Sequence, residues 1–214
     1  MFRVNVGCGM SPTEGWINFD NSFSIKLSTF PVLASCLYRA GLIGQAQMAY
    51  IRFCQEHTIR WADATRHLPL ADASAEVLYS SHMLEHLDRR EAAGFLSEAR
   101  RVLAPGGIIR VAVPDIEKFV DMYLRSKDAD AFVESTHLST HRPRRLAEKL
   151  RVLFVGLRHH QWMYDGASLC RLLSGSGFQR AQVCEVGSSH IPNPSPLNLR
   201  EREEESVYVE AVRV

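Results

Sequence analysis

The chain has 214 residues, 46% hydrophobic and 23% charged, with a formal net charge of +1. Such values fit one soluble globular domain with a sizeable core, and near-neutrality excludes an overall electrostatic pull toward nucleic acid or a strongly acidic partner. The 5 cysteines are odd in number and form no C-x-x-C pair, which excludes a disulfide framework or zinc knuckle and suits a reducing cytoplasm.

In chain order, "FRVNV" (2–6) and "WINF" (16–19) read as strands joined by a glycine-containing turn. Residues 1–9 already read as strand and loop, so no signal peptide is expected. The apolar stretch 30–54 carries Arg39, Gln45, Gln47 and Arg52, too many interruptions for a lipid span. It reads as one or two buried or capping helices, with an apolar surface that could also meet a second copy in a homodimer. Further strand runs are 58–63, 76–81, 107–114, 180–186 and 206–214. Helices are expected over 89–103, 116–126, 144–157 and 166–175. Asp88 can cap the first of these, Leu96, Ala99, Val102 and Leu103 share one face, and Pro105-Gly106-Gly107 should end it.

This alternation implies an α/β fold: a Rossmann-like, doubly wound and mostly parallel seven-stranded sheet with an antiparallel last strand. The irregular segment 187–205 suggests that the last two strands join the sheet as a hairpin-like addition. The whole of 1–214 is expected to form one domain, with helical insertions over about 22–57 and 116–165 that roof the site.

Ligands of open α/β sheets bind beyond the carboxyl ends of the strands. Those ends deliver Gly7-Cys8-Gly9, then Asp20, then Asp63-Ala64, then Ser80, Ser81 and His82, and finally Pro114-Asp115. A dinucleotide motif needs a third glycine where Pro12 stands, an acidic residue farther on than Asp20, and a helix to hold a pyrophosphate. The site therefore suits a nucleoside without phosphates better than NAD.

Taken together, "VNVGCG", "GWINFD", "WADATRHLPLADASAEVLYSSHMLEHL" and "EARRVLAPGGIIRVAVPD" resemble a class I S-adenosylmethionine-dependent methyltransferase of the type 11 kind, near a bacterial subgroup with a shortened glycine loop. The resemblance covers residues 3–21 and 58–115. It implies Gly7, Cys8 and Gly9 beside the methionine moiety of S-adenosylmethionine and Asp20 on the ribose hydroxyls. Asp63 would meet the adenine amino group, the backbone of Ala64 a ring nitrogen, and Ser81 or His82 the sulfonium end. Asn5 departs from the acidic residue often found in that place.

An oxygen or nitrogen acceptor needs a group to take its proton. Candidates are His82, Glu85, His86, Asp115 and His160, with His82 or His160 as base. Each has a structural alternative: Glu85 and His86 could cap or pack a helix, Asp115 could cap the next one, and Trp162 and Tyr164 could simply pack against the sheet. No H-E-x-x-H motif is present, and His82 and His86 straddle a strand–helix junction, so no metal is expected. The basic and apolar residues of 142–158 read as a capping helix or as a weak membrane-surface contact for a phosphorylated or lipid-linked acceptor.

The expected activity is methyl transfer to a small-molecule or glycan-precursor acceptor, on oxygen, in the cytoplasm. Balanced charge and the lack of an Asn-Pro-Pro-Tyr or Asp-Pro-Pro-Tyr segment argue against nucleic acid. The rival readings are a non-catalytic cofactor-binding module that works through a protein partner and, less compatible with Pro12, an NAD oxidoreductase.

Overall fold

The structure, a computed structural model, describes residues 1–138 and 159–214. The helix expected over 144–157 and the basic run 142–158 lie outside the described residues. Among the described residues, no helix is long and apolar enough to cross a membrane.

The strands are β1 (Phe2–Val6), β2 (Ile17–Asp20), β3 (Ile59–Trp61), β4 (Ala75–Ser81), β5 (Leu103–Pro114), β6 (Phe178–Cys184) and β7 (Ser206–Arg213), in the sheet order β3-β2-β1-β4-β5-β7-β6. The first five run parallel, and β7 is antiparallel to both β5 and β6. The last two strands join one side of the sheet as the expected antiparallel addition, with β7 entering between β5 and β6. Its residues are almost all buried and need cover on both faces, whereas β6 carries the exposed polar positions of an edge strand.

Helices α1 (Phe23–Ser28), α2 (Pro31–Arg39) and α3 (Gln45–Glu56) fill the insertion after β2. A short 3-10 turn, Leu84–His86, follows β4 and leads to α4 (Arg89–Val102). Helices α5 (Ile116–Ser126) and α6 (Ala129–Ser135) follow β5, and α7 (Gly166–Gly175) precedes β6. Asp88 caps α4 in a reciprocal capping box with Glu91. The helix passes straight into β5 at Leu103, four residues ahead of the expected strand start; the register between β4 and β5 slips there, and Gly106 absorbs the slip at φ +81°.

One sheet face packs against α4 and α7 through Leu78, Ile109 and Val111 with Phe95, Leu96, Leu169 and Leu173. The other face departs from the helix-covered expectation. Residues 7–16 link β1 to β2 without a helix. Val77 and Tyr79 are instead covered by Trp16, Ile191 and Leu197, the latter two from the irregular segment before β7. Two strand arginines fasten that segment: Arg3 donates to the carbonyls of Pro192 and Asn193, and Arg110 to those of Ser188 and Leu199. Arg110 is fully buried and pairs with buried Glu210 at 2.7 Å.

Candidate functional site

The glycine turn is shaped by its backbone. Gly7 sits at φ +70°, and a Cβ there would come within 2.8 Å of the Met83 side chain. The N–H groups of Gly7 and Cys8 both donate to the Phe19 carbonyl, and the Gly9 N–H donates to Asp20 Oδ2 at 3.1 Å. Ser22 N–H holds the other oxygen, Oδ1, at 2.8 Å. The ends of β1 and β2 are thereby locked side by side, with the Asp20 carboxylate half-buried beside bare backbone. The next strand continues the row, because Ala62 N–H donates to the Asp20 carbonyl.

Asp63 and Ala64 lie just beyond β3, as expected. Asp63 Oδ1 accepts from the Thr65 backbone and hydroxyl, and Oδ2 faces Arg66 at 3.3 Å, so this carboxylate also shapes its own turn. Helix α4 presses closely on that turn: a Cβ on Gly94 would meet the Thr65 carbonyl at 2.5 Å. A glycine inside an otherwise helical pattern was the sequence signal for this contact.

Sequence reasoning missed Tyr50 and Cys54 of α3. Burial raises the Tyr50 phenol well above its ordinary value, and the nearby Asp20 carboxylate and the Cys54 and Cys8 thiols push the same way. Cys8 is likewise raised, by burial first and then by Asp20. The insertion after β2 therefore brings Tyr50 and Cys54 near the Cys8–Asp20 edge, which no local pattern could announce.

Beyond β4, Ser81 is half-buried and His82 turns sharply away at φ +49°, uncommon for a non-glycine residue. The His82 ring is held from two sides: Nε2 lies 2.8 Å from Ser206 Oγ, and Nδ1 lies 3.3 Å from Glu85 Oε1, a close contact that is not aligned as a hydrogen bond. Glu85 opens no helix; it sits in the 3-10 turn at 1% exposure. His160 approaches the same carboxylate, with Nε2 4.0 Å from Oε1, and the His86 and His160 rings meet edge-on at 5.0 Å. Burial lowers the His160 pKa, and His86 and His137 add to the effect against Glu85. The structure thus gathers His82, Glu85, His86 and His160 into one cluster.

Asp115 stands apart from it as a cap, with Oδ1 accepting from Glu117 N–H at the start of α5. Tyr164 is packed in the main core, while Trp162 is exposed beneath Arg89. A cavity of about 900 Å³ opens between α5 and the approach to β7, lined among others by Lys118, Met122, Arg125 and Glu203–Glu205; no residue of the cluster lines it.

The family model described as a methyltransferase domain matches residues 40–111, from just ahead of α3 to within β5. Two solved structures share the fold: an S-adenosylmethionine-dependent methyltransferase from Methanosarcina mazei (13% identity, TM-score 0.53, covering 99% of this chain and 91% of that one) and another from Thermotoga maritima (15% identity, TM-score 0.50, covering 100% and 82%). The chain is similar to methyltransferases in its central third and has the fold of these S-adenosylmethionine-dependent enzymes. No curated protein matches it.

The residues at the Cys8–Asp20 edge fit S-adenosylmethionine, the methyl donor of the proteins this chain resembles. The glycine turn offers close backbone approach, and the Asp20 carboxylate beside it suits the two hydroxyl donors of a ribose. No helix follows Gly9, so there is no helix N-terminus for a pyrophosphate, which this cofactor lacks.

Proposed function

We propose that this chain is an S-adenosylmethionine-dependent methyltransferase that acts on a hydroxyl oxygen of a small molecule or glycan precursor. The observation that carries the reading is the buried His82 ring, fixed between the Glu85 carboxylate and the Ser206 hydroxyl at the end of β4. A hydroxyl acceptor needs a base, and a ring so constrained is oriented for one. When bound, S-adenosylmethionine supplies a methyl group already activated as a sulfonium.

In this reading Gly7, Cys8 and Gly9 border the methionine part of the cofactor, Asp20 accepts from the ribose hydroxyls, and Asp63 with the Ala64 backbone meets the adenine. Ser81 and His82 border the sulfonium end. His82 keeps its Nδ1 hydrogen toward Glu85 and takes a proton on Nε2 from Ser206 Oγ, which takes the proton of the acceptor in turn. Glu85 then stabilises the imidazolium. The acceptor enters from the cavity beside α5, where Glu203–Glu205 and Arg125 offer hydrogen-bonding groups to a hydroxyl-rich molecule. The test is a screen with isotopically labelled cofactor against sugars, nucleotide-linked sugars, small alcohols and matched amines. Oxygen-linked methyl in the product, identified by mass spectrometry, supports the reading; transfer to amines alone sinks it.

A further inference from the structure

Glu85 poses a problem that the proposed base leaves unsolved. Its carboxylate is 1% exposed, and among the described residues neither oxygen has a hydrogen-bond donor. An uncompensated buried carboxylate is strongly unfavourable, and the usual remedies are an ion pair or a metal. Among the described residues no lysine or arginine pairs with it, and nearby Arg89 lies over the Trp162 ring at 4.9 Å. What faces Glu85 instead is imidazole: the candidate donor atoms of Glu85, His86 and His160 all lie within 4.8 Å of one another.

We propose that Glu85, His86 and His160 bind a divalent first-row transition ion of the zinc or manganese kind. Two imidazole nitrogens and one carboxylate oxygen form a three-ligand set of the sort that leaves a further position open. Such donors stand about 3.4 Å apart around a tetrahedral ion, so donors up to 4.8 Å apart have to close by up to about 1.4 Å, within reach of the partly exposed His86 ring.

The surroundings are built for it. His86 Nδ1 lies 3.1 Å from the His159 carbonyl, the outer-shell contact that fixes a ligating imidazole and turns Nε2 toward the ion. Gln161 and Trp162 N–H groups donate to the Glu85 carbonyl, and Gln161 Nε2 donates to that of His86, tying the two ligand segments together. His82 Nδ1 would orient the carboxylate from outside. A second cluster, Cys184–His190–Glu210, shows the contrast. There the carboxylate is already satisfied by Arg110, Ser189 and the His190 backbone, and no cation is called for.

Binding of the ion does not depend on the oxygen-acceptor reading; lowering the pKa of an acceptor hydroxyl at the open position does. The experiment is a titration of the chelator-treated full chain with Co²⁺, read by visible d–d absorption, together with thermal unfolding in Zn²⁺ and Mn²⁺. The expected result is saturable binding with one ion per chain and a rise in melting temperature. Affinity should fall by about 100-fold or more in Glu85→Gln and in His86→Ala, beyond the roughly 10–100-fold typical of outer-shell changes. Partly exposed His86 keeps the test valid if the buried Glu85 variant fails to fold. Cys184→Ser should bind as wild type. Absence of saturable binding, or binding that survives both ligand variants, overturns the proposal. Co²⁺ binding with a silent hydroxyl screen leaves the metal site standing and removes the oxygen reading; oxygen methylation that persists without any ion binding does the reverse.

Discussion

The Gly9 N–H donates to Asp20 Oδ2 at 3.1 Å, joining the ends of β1 and β2 without an intervening helix. Asp20 thus orients the glycine turn as well as presenting its carboxylate. At 100 times its dissociation constant, S-adenosylmethionine should stabilise the wild type by roughly 2.7 kcal/mol. For a chain of this size that raises the melting temperature by about 5–10 °C. Asp20→Ala should abolish the shift and NAD should produce none, both read by thermal unfolding.

Met83 closes over Gly7, which is already in the left-handed region. Gly7→Ala should destabilise the fold by about 1–3 kcal/mol, combining backbone strain with overpacking. Urea unfolding measures the loss, and Gly7→Ala combined with Met83→Ala should recover part of it.

Arg110 and Glu210 lie opposite one another on β5 and β7, buried beneath the segment that replaces a covering helix. Arg110→Met strands the carboxylate and should cost about 3–5 kcal/mol, whereas adding Glu210→Leu should restore much of it. A double-mutant cycle in urea gives the coupling directly.

The same carboxylate predicts an acid limb of stability. Burial alone would raise the Glu210 pKa, but Ser189, the His190 N–H and Arg110 together hold it below the ordinary value. A depressed folded value contributes stability that is complete above the unfolded pKa, about 4.3, and is lost as pH falls through the folded one. Urea midpoints measured downward from pH 6 should fall less steeply in Glu210→Gln than in wild type; equal slopes would refute the assignment.

His82→Gln should lower kcat by about 10²–10⁴-fold once an acceptor is in hand. The thermal shift with S-adenosylmethionine should persist, because the change removes the proton acceptor and leaves the glycine turn and Asp20 intact. Loss of the thermal shift together with kcat would assign His82 to cofactor binding instead.

All seven strands were legible as apolar runs between turn residues, and the glycine–aspartate edge was legible because a left-handed turn favours glycine. The Asp88 cap and the buried face of α4 followed from helical spacing for the same local reason. Other features gave no such signal. Tyr50 reads as one apolar position in an amphipathic helix, and nothing nearby says that it will come within electrostatic reach of Asp20. Glu85 reads as a residue at the start of a helix, whereas the chain makes a 3-10 turn that buries it.

The sequence by itself determined the order of the strands along the chain, the glycine–aspartate edge and the methyltransferase resemblance, because dihedral preference and hydrophobic period act over a few residues. The tertiary structure alone decided which distant groups meet. His86 finds His159 across 73 positions and Arg110 finds Glu210 across 100. Partner choice at such separations is set by how the sheet packs, and an exposed-looking charge becomes a buried one only when another segment covers it.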